Sequence, residues 1–182
     1  MTLILRTLLL AAVAALAACG TKIGDECNSS LDCAQDNTRI CDISSPAGYC
    51  TIEGCDYGTC PEEAVCVRFF PGVQTSTPCA SIEDCALDEI CTLGGNCVPR
   101  LIERRFCMLQ CEGNGDCRDG YECRDLELMK RHGGEPVPNP ADETGTVPST
   151  SFCGNRKPCT TNLDCQDNEV CDPQTDTCAP LG

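Results

Sequence analysis

Cysteine constrains this chain more than any other residue: it occupies 21 of the 182 positions. That density marks a disulfide scaffold. The residues that would otherwise build a core are few. Leu, Ile, Val and Phe together supply only 27 positions after residue 18. All 28 acidic residues lie in the same stretch, and the whole chain carries a net charge of −15. A chain this polar and this charged buries too little apolar surface to offset its conformational entropy. Cross-links remove part of that entropy from the unfolded state, about 2–4 kcal/mol for each unstrained bridge. The composition therefore predicts a small disulfide-rich fold. It should consist of tandem cysteine-rich modules with short β-hairpins, little helix and much loop.

The first 18 residues stand apart. They hold one charged side chain, Arg6, inside an apolar run that ends in small residues. This is the pattern of a secretory leader, and the run is too short and Ala-rich for a membrane span. It closes in Leu16-Ala17-Ala18-Cys19-Gly20. Those residues resemble the bacterial lipobox: Leu, two small residues, then Cys. The resemblance implies cleavage before Cys19 and lipidation of its sulfur. Gly20, rather than Asp, at the second mature position implies outer-membrane sorting. Cysteine parity points the same way. An odd cysteine in an exported chain needs explaining, and lipidation of Cys19 leaves an even twenty. Residues 19–26 then form a short tether.

The mature cysteines repeat. Cys27, Cys33, Cys41 and Cys50 form a four-cysteine unit over residues 27–50. Cys79, Cys85, Cys91 and Cys97 form a second over 79–97, with five residues in every gap. Cys159, Cys165, Cys171 and Cys178 form a third within 157–182. An acid precedes the second cysteine each time, as Asp32, Asp84 and Asp164. Such recurrence indicates modular architecture. Eight cysteines remain: Cys55, Cys60, Cys66, Cys107, Cys111, Cys117, Cys123 and Cys153. They are read as one discontinuous domain over residues 51–156, with the 79–97 unit inserted. Cys111, Cys117 and Cys123 echo the repeat spacing, and Asp116 is the matching acid. A continuous string of beads, bridged between neighbours, is the alternative. Four cysteines allow three pairings per unit, so connectivity stays open.

Short strands are expected at residues 64–70 and 106–110, with weaker ones at 49–52 and 121–124. No amphipathic helix stands out after the leader. Residues 130–151 lack cysteine and carry Gly133-Gly134 with four prolines, so they read as a mobile surface loop. Phe69, Phe70, Phe106, Tyr121 and Phe152 are the expected core of the eight-cysteine domain.

The pattern argues against several chemistries. Zinc and iron–sulfur sites favour ligand pairs closer in sequence than these, and Cys-x-x-Cys does not occur. The single histidine, His132, falls in the expected loop, which is a poor place for acid–base catalysis. No enzyme activity, metal or other cofactor is expected. Asn114, Asp116, Asp119 and Gly120 loosely resemble a calcium loop, and Asp167, Glu169, Asp172 and Asp176 form another acidic group. Both lack the ligand spacing of a calcium site and read as turn-forming, solubilising residues. Acidity excludes a nucleic-acid partner, since Arg100, Arg104 and Arg105 are the only basic cluster and enclose Glu103.

The spaced units resemble the cysteine-rich repeats of myxobacterial lipoproteins. They are also similar to Dickkopf-type cysteine-rich regions and to EGF-like or EB-like modules. The stretch from Phe106-Cys107-Met108-Leu109-Gln110-Cys111 through Asp116-Cys117-Arg118-Asp119-Gly120-Tyr121-Glu122-Cys123 is nearest the bacterial group. The resemblance implies an outer-membrane lipoprotein, periplasmic or surface-exposed, held to the membrane by lipid on Cys19. Its expected role is a structural or protein-interaction module with an envelope or extracellular protein as partner, and no small-molecule substrate. The second expectation is an inhibitor or soluble-ligand binder acting through an exposed loop, residues 130–151 or 100–105.

Overall fold

A computed structural model describes residues 21–72, 77–142, 145–165, 169–173 and 177–180. The leader, Cys19, Asp167 and Asp176 lie outside the described residues. The fold is small and disulfide-rich, made of short strands and loops, with ten bridges. In chain order the strands begin with β1 (Ile40–Cys41), β2 (Cys50–Thr51), β3 (Ala64–Phe69), β4 (Glu89–Cys91) and β5 (Cys97–Pro99). They continue with β6 (Arg104–Leu109), β7 (Tyr121–Arg124), β8 (Glu135–Pro136), β9 (Phe152–Asn155), β10 (Glu169–Asp172) and β11 (Thr177–Pro180). The helices are α1 (Ser30–Cys33) and α2 (Leu126–His132).

One bridging rule recurs through the chain. Within each set of four cysteines the first pairs with the third and the second with the fourth. Cys27–Cys41 and Cys33–Cys50 close unit one. Cys79–Cys91 and Cys85–Cys97 close the 79–97 unit, here unit three. Cys159–Cys171 and Cys165–Cys178 close unit five. The remaining eight cysteines obey the same rule as two sets. Cys55–Cys66 with Cys60–Cys107 makes unit two, and Cys111–Cys123 with Cys117–Cys153 makes unit four. In all five, the third and fourth cysteines face each other across an antiparallel strand pair. The eight therefore divide covalently in two, with unit three inserted between the third and fourth cysteines of unit two. Unit four carries its own insertion, which holds α2 and β8, at the corresponding place.

The residue before the second cysteine explains why the spacing works. Asp32 accepts from the backbone N–H groups of Asn28 and Ser29, both at 2.9 Å. Asp84 does the same for Ala80 and Ser81, Asp116 for Glu112 and Gly113, and Asp164 for Thr160 and Thr161. In unit two Thr59 takes the position, and its hydroxyl accepts from Asp56 N–H at 2.9 Å. Each side chain satisfies free donors at the start of its turn, which is a single helical turn in units one, three, four and five. That turn sets the second cysteine against the hairpin.

Bridges divide units two and four, but apolar packing joins them. One cluster takes Ile23 from the tether, Tyr49 from unit one, Ala64, Val67 and Met108 from unit two, and Tyr121, Met129, Val137 and Phe152 from unit four and its insertion. Phe69 and Phe106 pack against it, Phe69 meeting Phe152 edge-on at 6.1 Å between centroids. Phe70, expected in this core, lies outside the cluster, with the Arg68 guanidinium 5.9 Å from its ring centroid. Tyr49 takes a place that the sequence did not assign to it.

Two expectations need correction. α2 exists, although no helix was expected. Its Asp125 cap accepts from Glu127 and Leu128 N–H, its last turn is basic, and Leu128 and Met129 are buried. Seven residues are too few to display a periodic face, yet the cap and the following glycines are ordinary helix stop and start signals. Residues 130–137, the first part of the expected mobile loop, are also fixed. β8 adds to the β3–β6 pair through Val67↔Pro136 and Arg68↔Glu135, and Val137 is buried. Gly134 makes this close approach feasible. At φ +80°, a Cβ there would meet Phe69 Cε1 at 2.6 Å and Phe152 Cζ at 2.9 Å.

Candidate functional site

Among the described residues the buried charges tie separate segments together, first within unit four and its insertion and then between units. Glu122 and Arg124 leave β7, and His132 ends α2. Arg124 Nε donates to Glu122 Oε1 at 3.0 Å, and His132 Nδ1 lies 2.6 Å from the same oxygen. The remaining Arg124 donors go to the carbonyls of Gly133 at 2.7 Å and Asn155 at 2.6 Å. Burial lowers the Arg124 pKa, and the adjacent Glu122 carboxylate opposes that shift. His132 is thus not a loop residue. It is buried and tied to Glu122, because the helix delivers it beside β7.

Glu135 forms a second joint. Its Oε1 accepts from Arg68 Nε at 2.8 Å and Nη2 at 2.6 Å, and its Oε2 accepts from Leu93 N–H at 2.7 Å. Leu93 lies in the turn of the β4–β5 hairpin, so Glu135 docks unit three by its tip. Arg118 forms a third joint. Its guanidinium carbon sits 4.4 Å from the Tyr121 ring centroid, and it donates to Gly24 O at 2.9 Å and also to Gly48 O. Unit one is thereby clamped onto unit four. Tyr49 supports the clamp by accepting from Leu109 N–H at 2.9 Å, and burial raises its pKa.

The calcium candidates are engaged in similar work. Asn114 Oδ1 accepts from Cys123 N–H at 2.8 Å, and its amide donates to Glu169 Oε1 at 2.8 Å. Asp116 caps its turn. Asn114 and Asp116 thus serve unit four and its contact with unit five. In the basic cluster, Arg104 pairs with Glu53 at 3.0 Å and Arg105 with Asp56 and Glu103. Sulfurs from both bridges of a unit gather within 4.8 Å of one another. They are joined as disulfides, so they offer no thiolate to a metal.

A cleft of about 210 Å³ opens where units one, two and four meet. Tyr49, Phe69, Phe106 and Met108 form its apolar wall, and Asp42, Asn155 and Lys157 lie at its polar side. Ligand pockets for small molecules usually enclose about 300–1,000 Å³, and this cleft is smaller. More open hollows beside residues 129–135 and beside Arg100, Glu103, Arg104 and Arg105 measure about 320 and 440 Å³.

The bridge density marks a disulfide-stabilised module of an oxidising, non-cytoplasmic compartment. Among the described residues no helix is long and apolar enough to cross a membrane. No known protein family, curated protein or solved structure matches the chain.

Proposed function

We propose that the protein is an outer-membrane lipoprotein, anchored through lipid on Cys19, that acts as a protein-recognition module without catalysis. One observation carries this reading. The polar side chains with chemical potential are spent on holding the fold together: His132 and Arg124 on Glu122, Arg68 on Glu135, and the turn acids on backbone donors. Outward the units present apolar side chains such as Leu31, Ile43, Leu87 and Leu101 among charges of both signs, with acids in excess over the chain as a whole. The odd nineteenth residue supports the anchor, since each of the ten bridges uses two of the other twenty cysteines. The loop-borne inhibitor or soluble-ligand reading keeps its own support, hollows lined by residues 129–135 and by Arg100, Glu103, Arg104 and Arg105. It ranks second because two cations lining the latter are already paired, Arg104 with Glu53 and Arg105 with Glu103.

Intact mass spectrometry of the envelope-purified protein tests the anchor. We expect a chain beginning at Cys19, carrying acyl mass, with no thiol labelled before reduction and twenty after it. Unmodified Cys19, or twenty labels without reductant, overturns the reading. Photo-cross-linking in cells tests recognition, with a discrete envelope protein as the expected product.

A further inference from the structure

The cleft where units one, two and four meet does not stand alone. An open hollow of about 460 Å³ adjoins it along the seam between units one and two. Asp42, Ser44, Phe69 and Phe106 line both, so the two form one continuous groove. Ile40, Ile43 and Pro71 wall its open half, where Ile43 stands 77% exposed. The inner half is more enclosed and adds Tyr49 and Met108 to the two phenylalanines. It ends against β9 and the end of α2, where Gly154, Asn155 and His132 line it. An apolar cavity of about 150 Å³ holds a benzene ring, so the inner half, at about 210 Å³, has room for one aromatic or branched side chain. A groove that is open at one end and stopped at the other suits a chain terminus, because an internal segment must leave at both ends.

Charge decides which terminus. Asp42, Arg124, His132 and Lys157 are the charged or titratable groups that face the inner half, besides the buried Tyr49 hydroxyl. Arg124 and His132 are both held on Glu122. Asp42 belongs to the throat shared by the two hollows. Its carboxylate accepts from Ser44 N–H at 3.0 Å, the Ser44 hydroxyl at 2.6 Å and the Ser45 hydroxyl at 2.8 Å. Lys157 lines the inner half only; it is exposed and has no ion pair among the described residues. In the open half, Glu53 and Arg104 pair with each other at 3.0 Å. A carboxyl terminus therefore sets its anion beside Lys157 and offers Asp42 an N–H donor from the backbone. An amino terminus would set an ammonium group beside Lys157 instead.

We infer that this groove captures the carboxyl terminus of a partner protein whose last side chain is aromatic or branched aliphatic. That side chain enters between Tyr49, Phe69, Phe106 and Met108, and its carboxylate faces Lys157. The residues before it lie over Ile40 and Ile43. The mode is capture of a terminal carboxylate, with an apolar anchor beside it. The inference rests on the recognition role proposed above and assigns it a surface and a partner chemistry.

The test uses the full oxidised mature protein and a library of short synthetic peptides fixed by their amino ends, each with a free carboxyl terminus. The same library amidated at that terminus is one control, and a library fixed by its carboxyl ends is the other. We expect capture by the first library alone, with aromatic or branched aliphatic side chains enriched at the last position. Soluble copies of the captured peptides then give affinities by fluorescence anisotropy. Ser44→Trp sets a large ring in the throat and should weaken binding by about tenfold or more, as loss of an anchor pocket does. Lys157→Met should weaken it by about fivefold, and Lys157→Arg should restore most of that loss. Ile43→Ser should weaken it by about threefold. Ser44, Ile43 and Lys157 are exposed, so each variant should retain ten bridges. Absence of capture overturns the inference, as does equal capture by either control library or enrichment that ignores the last residue. Binding unchanged in both Ser44→Trp and Lys157→Met places the peptide elsewhere and overturns it. Free phenylalanine binding as tightly as the peptides would make the groove a metabolite site and overturn it too. Cross-linking in cells separates this failure from failure of the wider reading. If Ser44→Trp still captures its envelope partner, only the docking surface is wrong. If wild type captures none, recognition itself falls.

Discussion

The centre of the molecule and its C-terminal unit obey one bridging rule but rest on different physics. Units one, two and four share an apolar cluster around Val67, Tyr121 and Phe152. Unit five has the same two bridges and the same capped turn, but Cys159 is the one hydrophobic residue within it counted as buried among the described residues. Its contacts to unit four are polar: Asn114 to Glu169, and Arg156 to Cys178 O. The centre is cross-linked and packed, whereas the end is cross-linked only. A disulfide frame therefore suffices to set local topology, and apolar burial decides which frames act as one body.

The sharpest way to break this contrast is to open the longest bridge. Cys60→Ser with Cys107→Ser frees a closure of 47 residues that encloses unit three. Chain-entropy reasoning gives a loss of about 4 kcal/mol. Because the bridge backs the shared core, urea unfolding should show the centre destabilised as a whole. A loss confined to unit three would contradict the shared-core picture.

Glu135→Ala comes next. It leaves Arg68 without its carboxylate and the Leu93 N–H without an acceptor. Removing one partner of a buried pair costs about 3–5 kcal/mol, and the partial exposure of Arg68 places this case near 3. Hydrogen exchange should accelerate across β4 and β5 more than across β10 and β11. Uniform acceleration would mean that unit three is not held by that joint.

Cys165→Ser with Cys178→Ser opens a 13-residue closure in unit five. The same chain-entropy reasoning gives about 3 kcal/mol. Protection should vanish across β10 and β11 and persist at Val67 and Phe152. Loss of protection in the core would erase the distinction between the two regions.

The smallest effect is electrostatic and common to both regions. Backbone N–H donors hold the Asp164 carboxyl down to about 2, and the same cause lowers Asp32 and Asp84. A carboxyl with a depressed folded pKa contributes stability that is fully present above its unfolded value of about 3.9. That contribution is lost as pH falls from there through the folded value. Carbon-detected NMR titration should place all three midpoints below 3.9. A midpoint at the ordinary value for Asp164 alone would mean that its cap frays, and unit five would then differ from the centre in its turn as well as its packing.

Much of this was legible beforehand because it is local. Cysteine spacing marked the repeat, and the acid before the second cysteine of units one, three, four and five proved to be a cap acting on donors three and four residues back. β7 matched its expected span, and β3 and β6 came within one or two residues, since their alternating apolar residues need no distant information. α2 and β8 were missed for opposite reasons. α2 is too short to show a period, and β8 is a two-residue strand with a proline, whose pairing exists only because β3 lies open beside it. His132 looked mobile for the same reason: its partner, Glu122, is supplied by another element.

The sequence by itself determined that sulfur must do the work of a core, where three of the five units begin and end, and which acids stand before their second cysteines. Tertiary structure decided which cysteine meets which, that eight of them form two units instead of one, and which charges become joints. The physical reason is range. Caps and turns act within a few residues, whereas Arg118 reaching Gly24, or Glu135 reaching Arg68 and Leu93, joins positions 42 to 94 residues apart. Those contacts have no energy until the intervening chain has already folded around them.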